Sequence, residues 1–318
     1  MKKYLLKRFM IGFIVLFFIT FLSYMIINLS PGDPATLYVG QDATEAQINQ
    51  VRESLGLNKP LLIRYANWVK NLLRGDLGIS FATRQPVANI LLERIGPTVL
   101  LMGVSLLTAY LVAIPLGIYS AVKQKSWVDY FITGTSFLGI SIPNFFLGLF
   151  LIYVFAVQLK WLPTGGMQML GSDGGFVERA RHMVLPVIVI ATTISANMIR
   201  YVRSSMIDIF DENYLRTAKA KGLKPRQIIF KHGIRNAFVP IITIIGTDIP
   251  MLIGGAIVTE QIFQWPGLGA LTISSIQSRD YTVLMAITLL SAVTVLAANM
   301  LMDILYALAD PRIRFSKD

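Results

Sequence analysis

Long uncharged blocks alternate with short polar stretches along this chain. The first block, Phe9–Leu29, holds 21 residues without a charge, about 31 Å as a helix and enough to cross a bilayer's hydrocarbon core. Lys2, Lys3, Lys7 and Arg8 precede it. A cleaved signal peptide is the alternative, but its apolar part is shorter, about 7–15 residues, and ends in a small-residue cleavage site. Here Ser30-Pro31-Gly32-Asp33-Pro34 follows, so a retained span is expected. Five more blocks come after it: Thr98–Val122, Tyr130–Val157, Met183–Ile199, Ala237–Val258 and Val283–Met302. The second carries Pro115, the third is interrupted by Ser141-Ile142-Pro143-Asn144, and the fifth by Asp248 and Pro250. Proline removes a helical hydrogen bond and is tolerated in a span where neighbours satisfy the freed carbonyl. No internal repeat is visible, which gives no support to an inverted-repeat transporter.

The polar stretches carry their own signals. Thr44 and Gln47 form a capping box, with Ile48, Val51 and Leu55 on one helical face and Gly56 as the stop. After Pro60, Leu61, Leu62, Tyr65, Trp68, Val69, Leu72 and Leu73 make an apolar stripe beside Arg64, Lys70 and Arg74. That pattern fits a helix lying in a membrane interface; a small ectodomain is the alternative, with few residues for a core. Two further loops are Lys160–Met183, rich in glycine, and Thr259–Tyr281. The remaining stretch, Arg203–Asn236, is basic and reads as two short helices joined at Gly222-Leu223-Lys224-Pro225. Asp211, Glu212 and Asn213 suit the start of the first helix, Gly222 its end, and Pro225 the first turn of the second.

Composition agrees with a membrane protein. Of 318 residues, 54% are hydrophobic and 15% charged, against about 25% charged in soluble chains. The net charge of +11 raises the question of nucleic acid. Its placement answers that question. The N-terminus, the Lys123 turn, the Arg200–Asn236 region and the C-terminus, all on one side of a six-span chain, hold 18 of the 29 lysines and arginines. Most of the others belong to the long first loop, where the positive-inside rule is weak. The termini and the basic loop are therefore expected in the cytoplasm. No aromatic platform for bases accompanies the charge, so no nucleic-acid partner is expected.

Catalysis has no footing in the sequence. There is no cysteine, no HExxH, no GxSxG and no phosphate-cradling GxxxxGK[ST]. His182 and His232 sit beside different loops and read as structural. Asp248 is the sharpest intramembrane residue: a carboxylate there costs a few kcal/mol, so it faces a bundle interior or a cavity. Lining a pathway and making an interhelical hydrogen bond remain alternative roles for it. Asn144 and Asn197 are further pathway candidates. For the basic loop, small residues and a tight glycine turn favour close approach by another protein, with a solvated hairpin as the alternative.

The basic loop resembles the "EAA" loop of permease subunits in binding-protein-dependent ABC importers, in the form of the dipeptide/oligopeptide/nickel group. That form runs Tyr-x-Arg-Thr-Ala-x-Ala-Lys-Gly-Leu and then Arg-Asn-Ala-x-x-Pro. Here it stands as Tyr214, Arg216, Thr217, Ala218, Ala220, Lys221, Gly222 and Leu223, with Arg235, Asn236, Ala237 and Pro240. Against the broader importer loop, Arg216 replaces a glutamate and Ile234-Arg235 the closing Leu-Pro, departures from sugar-type permeases. Matching stretches recur at Pro31–Pro34, Leu55–Leu57, Gly75–Gly78, Ser141–Pro143, Glu260–Phe263, Trp265–Gly269, Arg279–Tyr281 and Asp310–Arg314.

The resemblance implies an all-α, polytopic membrane protein with six transmembrane helices and a cytoplasmic helix–turn–helix coupling loop. Residues 1–97 would hold the first span and an extracytoplasmic amphipathic segment, and residues 98–318 a five-helix permease core with the coupling loop at 203–236. It implies the first of two homologous permeases in a bacterial or archaeal cytoplasmic membrane, importing short peptides. A binding protein would deliver substrate outside, and two ATPase subunits would dock on the Glu212–Lys231 helices inside. ATP and Mg would belong to those partners, and this chain would hold no cofactor or metal and catalyse nothing itself. The docking residues are then Glu212, Tyr214, Arg216, Thr217, Ala218, Ala220, Lys221, Gly222, Leu223, Arg235 and Asn236. Import of nickel chelates or another small solute is the alternative with the same architecture. A self-contained secondary transporter would show pseudo-symmetric halves and more paired intramembrane charges.

Overall fold

The computed structural model describes residues 2–29, 34–39, 43–54, 56–169, 171–172, 174–224 and 227–309, without the side chains of residues 2–6, 34, 37, 38, 216, 218, 219, 230–232, 235, 238, 239 and 304–309. Pro31–Asp33, Leu55, Pro225 and Asp310–Arg314, and the side chain of His232, lie outside that set. Apart from one isolated bridge between Ile79 and Pro86, the described residues are helices and turns. Among the described residues five helical stretches are long and apolar enough to cross a membrane, and a helix pair bent by 96° brings the number to six if it forms one span.

Helix α1, Lys2–Leu29, exposes Phe9, Phe13, Phe17 and Phe18, as a lipid-facing helix does, and packs its Gly12 against Leu296. Two short helices follow, α2 (Pro34–Val39) and α3 (Glu45–Ser54). The capping box is present: Gln47 N–H donates to Thr44 Oγ1 at 3.4 Å and Thr44 N–H to Gln47 Oε1 at 2.9 Å. Gly56 follows at φ +66°, a left-handed value that glycine adopts without a Cβ penalty. Helix α4, Leu61–Leu72, lays its aromatic side on α1. Tyr65 is buried among Phe17, Phe21 and Tyr24, and its hydroxyl meets Thr20 Oγ1 at 2.9 Å. Leu62, Ile63 and Leu73 stay exposed, so the stripe divides between α1 and the surroundings.

Helix α5 runs from Val87 to Val122, starting eleven residues before the uncharged block and passing through Glu93, Arg94 and Pro97. Its first turns are helical because they have something to bury: Val87, Ile90 and Leu91 pack with Leu268, Val283 and Ala286. Helix α6 (Trp127–Ser141) and helix α7 (Asn144–Leu151), which continues as a π-helical stretch to Gln158, meet at an angle of 96°. Pro143 causes the break: it lacks an N–H and drives Ile142 into extended backbone (ψ 119°).

Helix α8, Phe176–Phe210, is also longer than its apolar block and carries Arg200 and Arg203 within it. Helix α9, Asn213–Ala220, follows after two residues. Residues Ile228–Ile234 then form a π-helical stretch that runs directly into α10, Arg235–Asp248. Short helices α11 (Met251–Gly254), α12 (Ile257–Ile262) and α13 (Leu268–Gln277) lead to the last span, α14, Tyr281–Ala309.

Two packed ends result. At the α9 end, Ala113, Ala121, Ile132, Met198, Val202, Met206, Ala237 and Ile241 form a core from α5, α6, α8 and α10. At the opposite end Glu260 is fully buried and accepts from Thr98 Oγ1 at 3.0 Å and Ala270 N–H at 3.1 Å. Thr98 Oγ1 in turn accepts from Leu268 N–H at 2.7 Å, and Trp265 Nε1–H donates to Pro97 O at 2.9 Å. This knot fastens α12 and α13 to α5. Beside it, Asp280 (2% exposed) accepts from Ser80 Oγ and from the N–H groups of Phe81, Ala82 and Val283. It thereby caps α14 and anchors a segment two hundred positions away.

Candidate functional site

The basic turn is built from the ends of two long helices. Asp211 N–H closes α8 on Ile207 O, and Glu212 O accepts from Leu215 N–H to begin α9. Leu215 is buried (3% exposed), the apolar foot of an otherwise open helix. Beneath it Gly233 packs against the Phe210 ring and the Met206 methyl, at distances of 3.1 and 3.4 Å for a Cβ placed there. Small size is needed at that contact.

Motif residues that are far apart in sequence meet here. Asn236 Nδ2 donates to Tyr214 Oη at 2.8 Å, so α9 is held to the first turn of α10. Thr217 Oγ1 turns back onto Asn213 O at 3.0 Å. Glu212, Thr217, Ala220, Lys221 and Gly222 are exposed, and Leu223 is half-buried. The side chains of Arg216, Ala218 and Arg235 lie outside the described residues. Gly222 has φ +78°, and a Cβ placed there meets no described residue within 4 Å. The glycine closes α9 in the left-handed conformation and presents bare backbone outward. One expectation is revised: the second arm is no separate short helix but the leading end of α10. Its π-helical turns, from Ile228, continue without a stop into the span.

The three pathway candidates fall into two places. Asp248 ends α10, half-buried, and its Oδ2 accepts from Tyr110 Oη of α5 at 2.7 Å. The interhelical hydrogen bond considered as one alternative is therefore present. Asn144 and Asn197 come together elsewhere, through Thr193. Thr193 Oγ1 donates to Asn144 Oδ1 at 2.6 Å, and Asn197 Nδ2 donates to Thr193 O at 3.2 Å. Arg200 adds Nη2–H to Asn197 Oδ1 at 3.4 Å and sits 5.4 Å above the Phe137 ring centroid.

Helical geometry explains this polar stripe. Ser195 points toward α5 and donates to Ala109 O at 3.3 Å. At about 100° per residue, Thr193, Asn197, Arg200 and Ser204 project from the other side of α8. Nearer the start of α8, the rings of Phe263 and Trp265 pack on Leu185 and Val189, and on Met183 and Val187. Toward the α9 end, Asn197, Arg200 and Ser204 are exposed. A polar, uncovered strip on a membrane helix is expensive in lipid and belongs against water or another protein.

His182 is buried, with Nδ1 2.9 Å from Gly165 O, in keeping with its structural reading. Among the described residues no three His, Asp or Glu side chains converge as a metal site. Sequence reasoning passed over Asp129, Glu260 and Asp280 as individual residues. Glu260 and Asp280 lay within quoted motifs, whereas Asp129 stood in a short polar turn with no signal of its partner.

Two family profiles match this chain. That of the binding-protein-dependent transport system inner membrane component covers residues 113–315, and that of its N-terminal part covers residues 1–102. The chain is 45% identical over 316 residues to the oligopeptide transport system permease protein AppB of Bacillus subtilis (strain 168), spanning 99% of this chain and 100% of that one. It is 38% identical over 316 residues to the glutathione transport system permease protein GsiC of Escherichia coli (strain K12), with 99% and 100% covered. Among solved structures, the MetNI methionine ABC transporter in inward-facing conformations superposes with a TM-score of 0.57 at 15% identity, covering 70% of this chain and 96% of that one; this likeness concerns the fold. The chain is a member of the family of inner membrane components of binding-protein-dependent transport systems.

Proposed function

We propose that this permease forms half of the translocation pathway of an ATP-driven importer of short peptides. A homologous second permease supplies the other half, two ATPase subunits dock on α9 and the Gly222 turn, and an extracytoplasmic binding protein delivers substrate at the opposite end. The observation that carries the reading is the α9 turn itself. It is exposed, closed by a left-handed glycine, joined to α8 by two residues, and hydrogen-bonded through Tyr214 to Asn236 in the first turn of α10. A push there is delivered to two spans at once. The charge distribution supports placing this turn and both termini in the cytoplasm. Peptide as substrate is supported by the names of the relatives, which specify oligopeptide and glutathione transport.

Co-expression with the cognate second permease and ATPase subunits, followed by purification in mild detergent, tests the assembly. Retention of the ATPases at a fixed ratio is expected. Their loss, with uptake driven by an ion gradient in their absence, would mark a self-contained transporter instead. Import of nickel chelates or another solute would show as retention of those ligands, and not peptides, by the binding protein.

The pathway is proposed to run along the uncovered polar strip with Asn144 and Asn197, and past Asp248. Asp248→Asn keeps an acceptor for Tyr110 and removes the ionisable group. A several-fold loss of uptake is expected, measured in proteoliposomes across a range of pH. Unchanged uptake with an unchanged pH profile would leave Asp248 only its hydrogen bond.

A further inference from the structure

The α5–α6 hairpin touches α8 through small residues. Gly117 packs on Val202 and on Ile199 O, where a Cβ would lie 2.8–2.9 Å from them, and Gly139 packs on Thr192 and Ala196 at 3.2–3.3 Å. Small residues let the helix backbones approach closely at these contacts, without a directional bond.

Besides the Ser195 hydrogen bond to Ala109 O, a buried ion pair crosses this surface. Asp129, in the first turn of α6, is 1% exposed. Its Oδ1 accepts from Arg203 Nε at 2.6 Å and from Ser120 Oγ; its Oδ2 accepts from Arg203 Nη2 at 2.7 Å and from Lys125 N–H at 2.9 Å. The donors come from the end of α5, the α5–α6 turn and α8. A carboxylate gripped by a planar fork has one register and one orientation, which apolar packing of the same volume does not impose. Apolar side chains would hold these helices at least as firmly, so stability alone is a weak reason for a buried pair.

Its place in the chain supplies the stronger reason. Arg203 stands seven residues before the end of α8, and α9 begins three residues after that end. On the other side, Asp129 opens the helix whose far end bends at Pro143 and delivers Asn144 to Thr193. We propose that Asp129 and Arg203 are positioning residues for energy coupling: they lock the α5–α6 hairpin to α8, so that displacement of α9 reaches the α6–α7 bend and the polar strip. The inference rests on the docking of ATPase subunits at α9.

The test uses the assembled complex in proteoliposomes, with substrate imported per ATP hydrolysed as the readout and recovery of the four-subunit core as the control. Asp129→Asn and Arg203→Gln are each expected to lower that ratio tenfold or more in complexes that retain their ATPases. Because both remove the same contact, the double variant should be no worse than either single one. Arg203→Lys keeps the charge and loses the fork, and an intermediate ratio is expected. Import that falls only in proportion to complex recovered, or losses that add in the double variant, would reduce the pair to a structural brace. Should the first two variants not assemble, Arg203→Lys decides: a wild-type ratio, or failure of this variant to assemble as well, overturns the proposal. Failure of the docking reading is distinguishable, since the wild-type complex would then not retain ATPases.

Discussion

Uptake is expected to be abolished by Gly222→Val, while the protein still inserts and folds. Gly222 sits at φ +78°, in the region a β-branched residue avoids, at a cost of about 1–2 kcal/mol. That strain is local, because among the described residues nothing lies within 4 Å of the added Cβ. The rest of the turn is anchored independently by buried Leu215, by Gly233 on Phe210, and by the Tyr214–Asn236 hydrogen bond. What valine takes away is the bare, exposed backbone on which the proposed ATPase subunit would dock. The expected signature is normal yield in the membrane, loss of the ATPase subunits on purification and no ATP-driven uptake. Gly222→Ala adds only a methyl group and should fall between the two. Normal uptake in the valine variant would remove the turn from the docking surface.

Glu260→Ala carries the largest expected cost in stability. The carboxylate is fully buried and takes hydrogen bonds from Thr98 Oγ1 and Ala270 N–H, at the point where α12 and α13 meet α5. Its environment is built closely around it: a Cβ on Gly267 would collide with Glu260 Oε2 and Thr98 Oγ1, and one on Gly269 would lie 2.7 Å from the Ile257 backbone. Removing the acceptor leaves buried donors unsatisfied, at about 1–3 kcal/mol each. Thermal unfolding in detergent should shift down by on the order of 5–15 °C. Glu260→Gln is also expected to destabilise, since its amide turns a donor toward donors. An unchanged melting temperature in the alanine variant would show that the Trp265–Pro97 contact and apolar packing hold this end unaided.

How much of this was legible in the sequence depends on how far each signal reaches along the chain. The Thr44–Gln47 capping box, the left-handed glycines at 56 and 222, and the break at Pro143 were all readable, and all appear. Each is decided within a few residues by backbone sterics and hydrogen bonding. Helix ends were read less well. The uncharged block ending at Ile199 suggested a short fourth span, yet α8 continues to Phe210. Hydropathy marks where charge begins, and charge does not end a helix when a partner such as Asp129 receives it. The same holds for the start of α5, where Glu93 and Arg94 lie in turns whose apolar side is buried by α13 and α14. The basic turn was located by its motif, but its second arm was read as a separate helix because nothing local shows that the π-helical turns run on into α10.

By itself, then, the sequence determined that this is a helical membrane protein of a binding-protein-dependent transport family. It also determined which stretch is its soluble, glycine-closed turn and where its proline bend falls. These properties follow from composition, from apolar runs of bilayer length and from short motifs, each summed over neighbouring residues. Only the tertiary structure decided what the lone polar groups do. Asp248 found Tyr110, Glu260 found Thr98, Asp280 found Ser80 and Asp129 found Arg203, partners between 74 and 200 positions away. A buried carboxylate must be satisfied somewhere, but packing chooses the donor. In this chain that choice ties α8, through Arg203, to the first turn of α6.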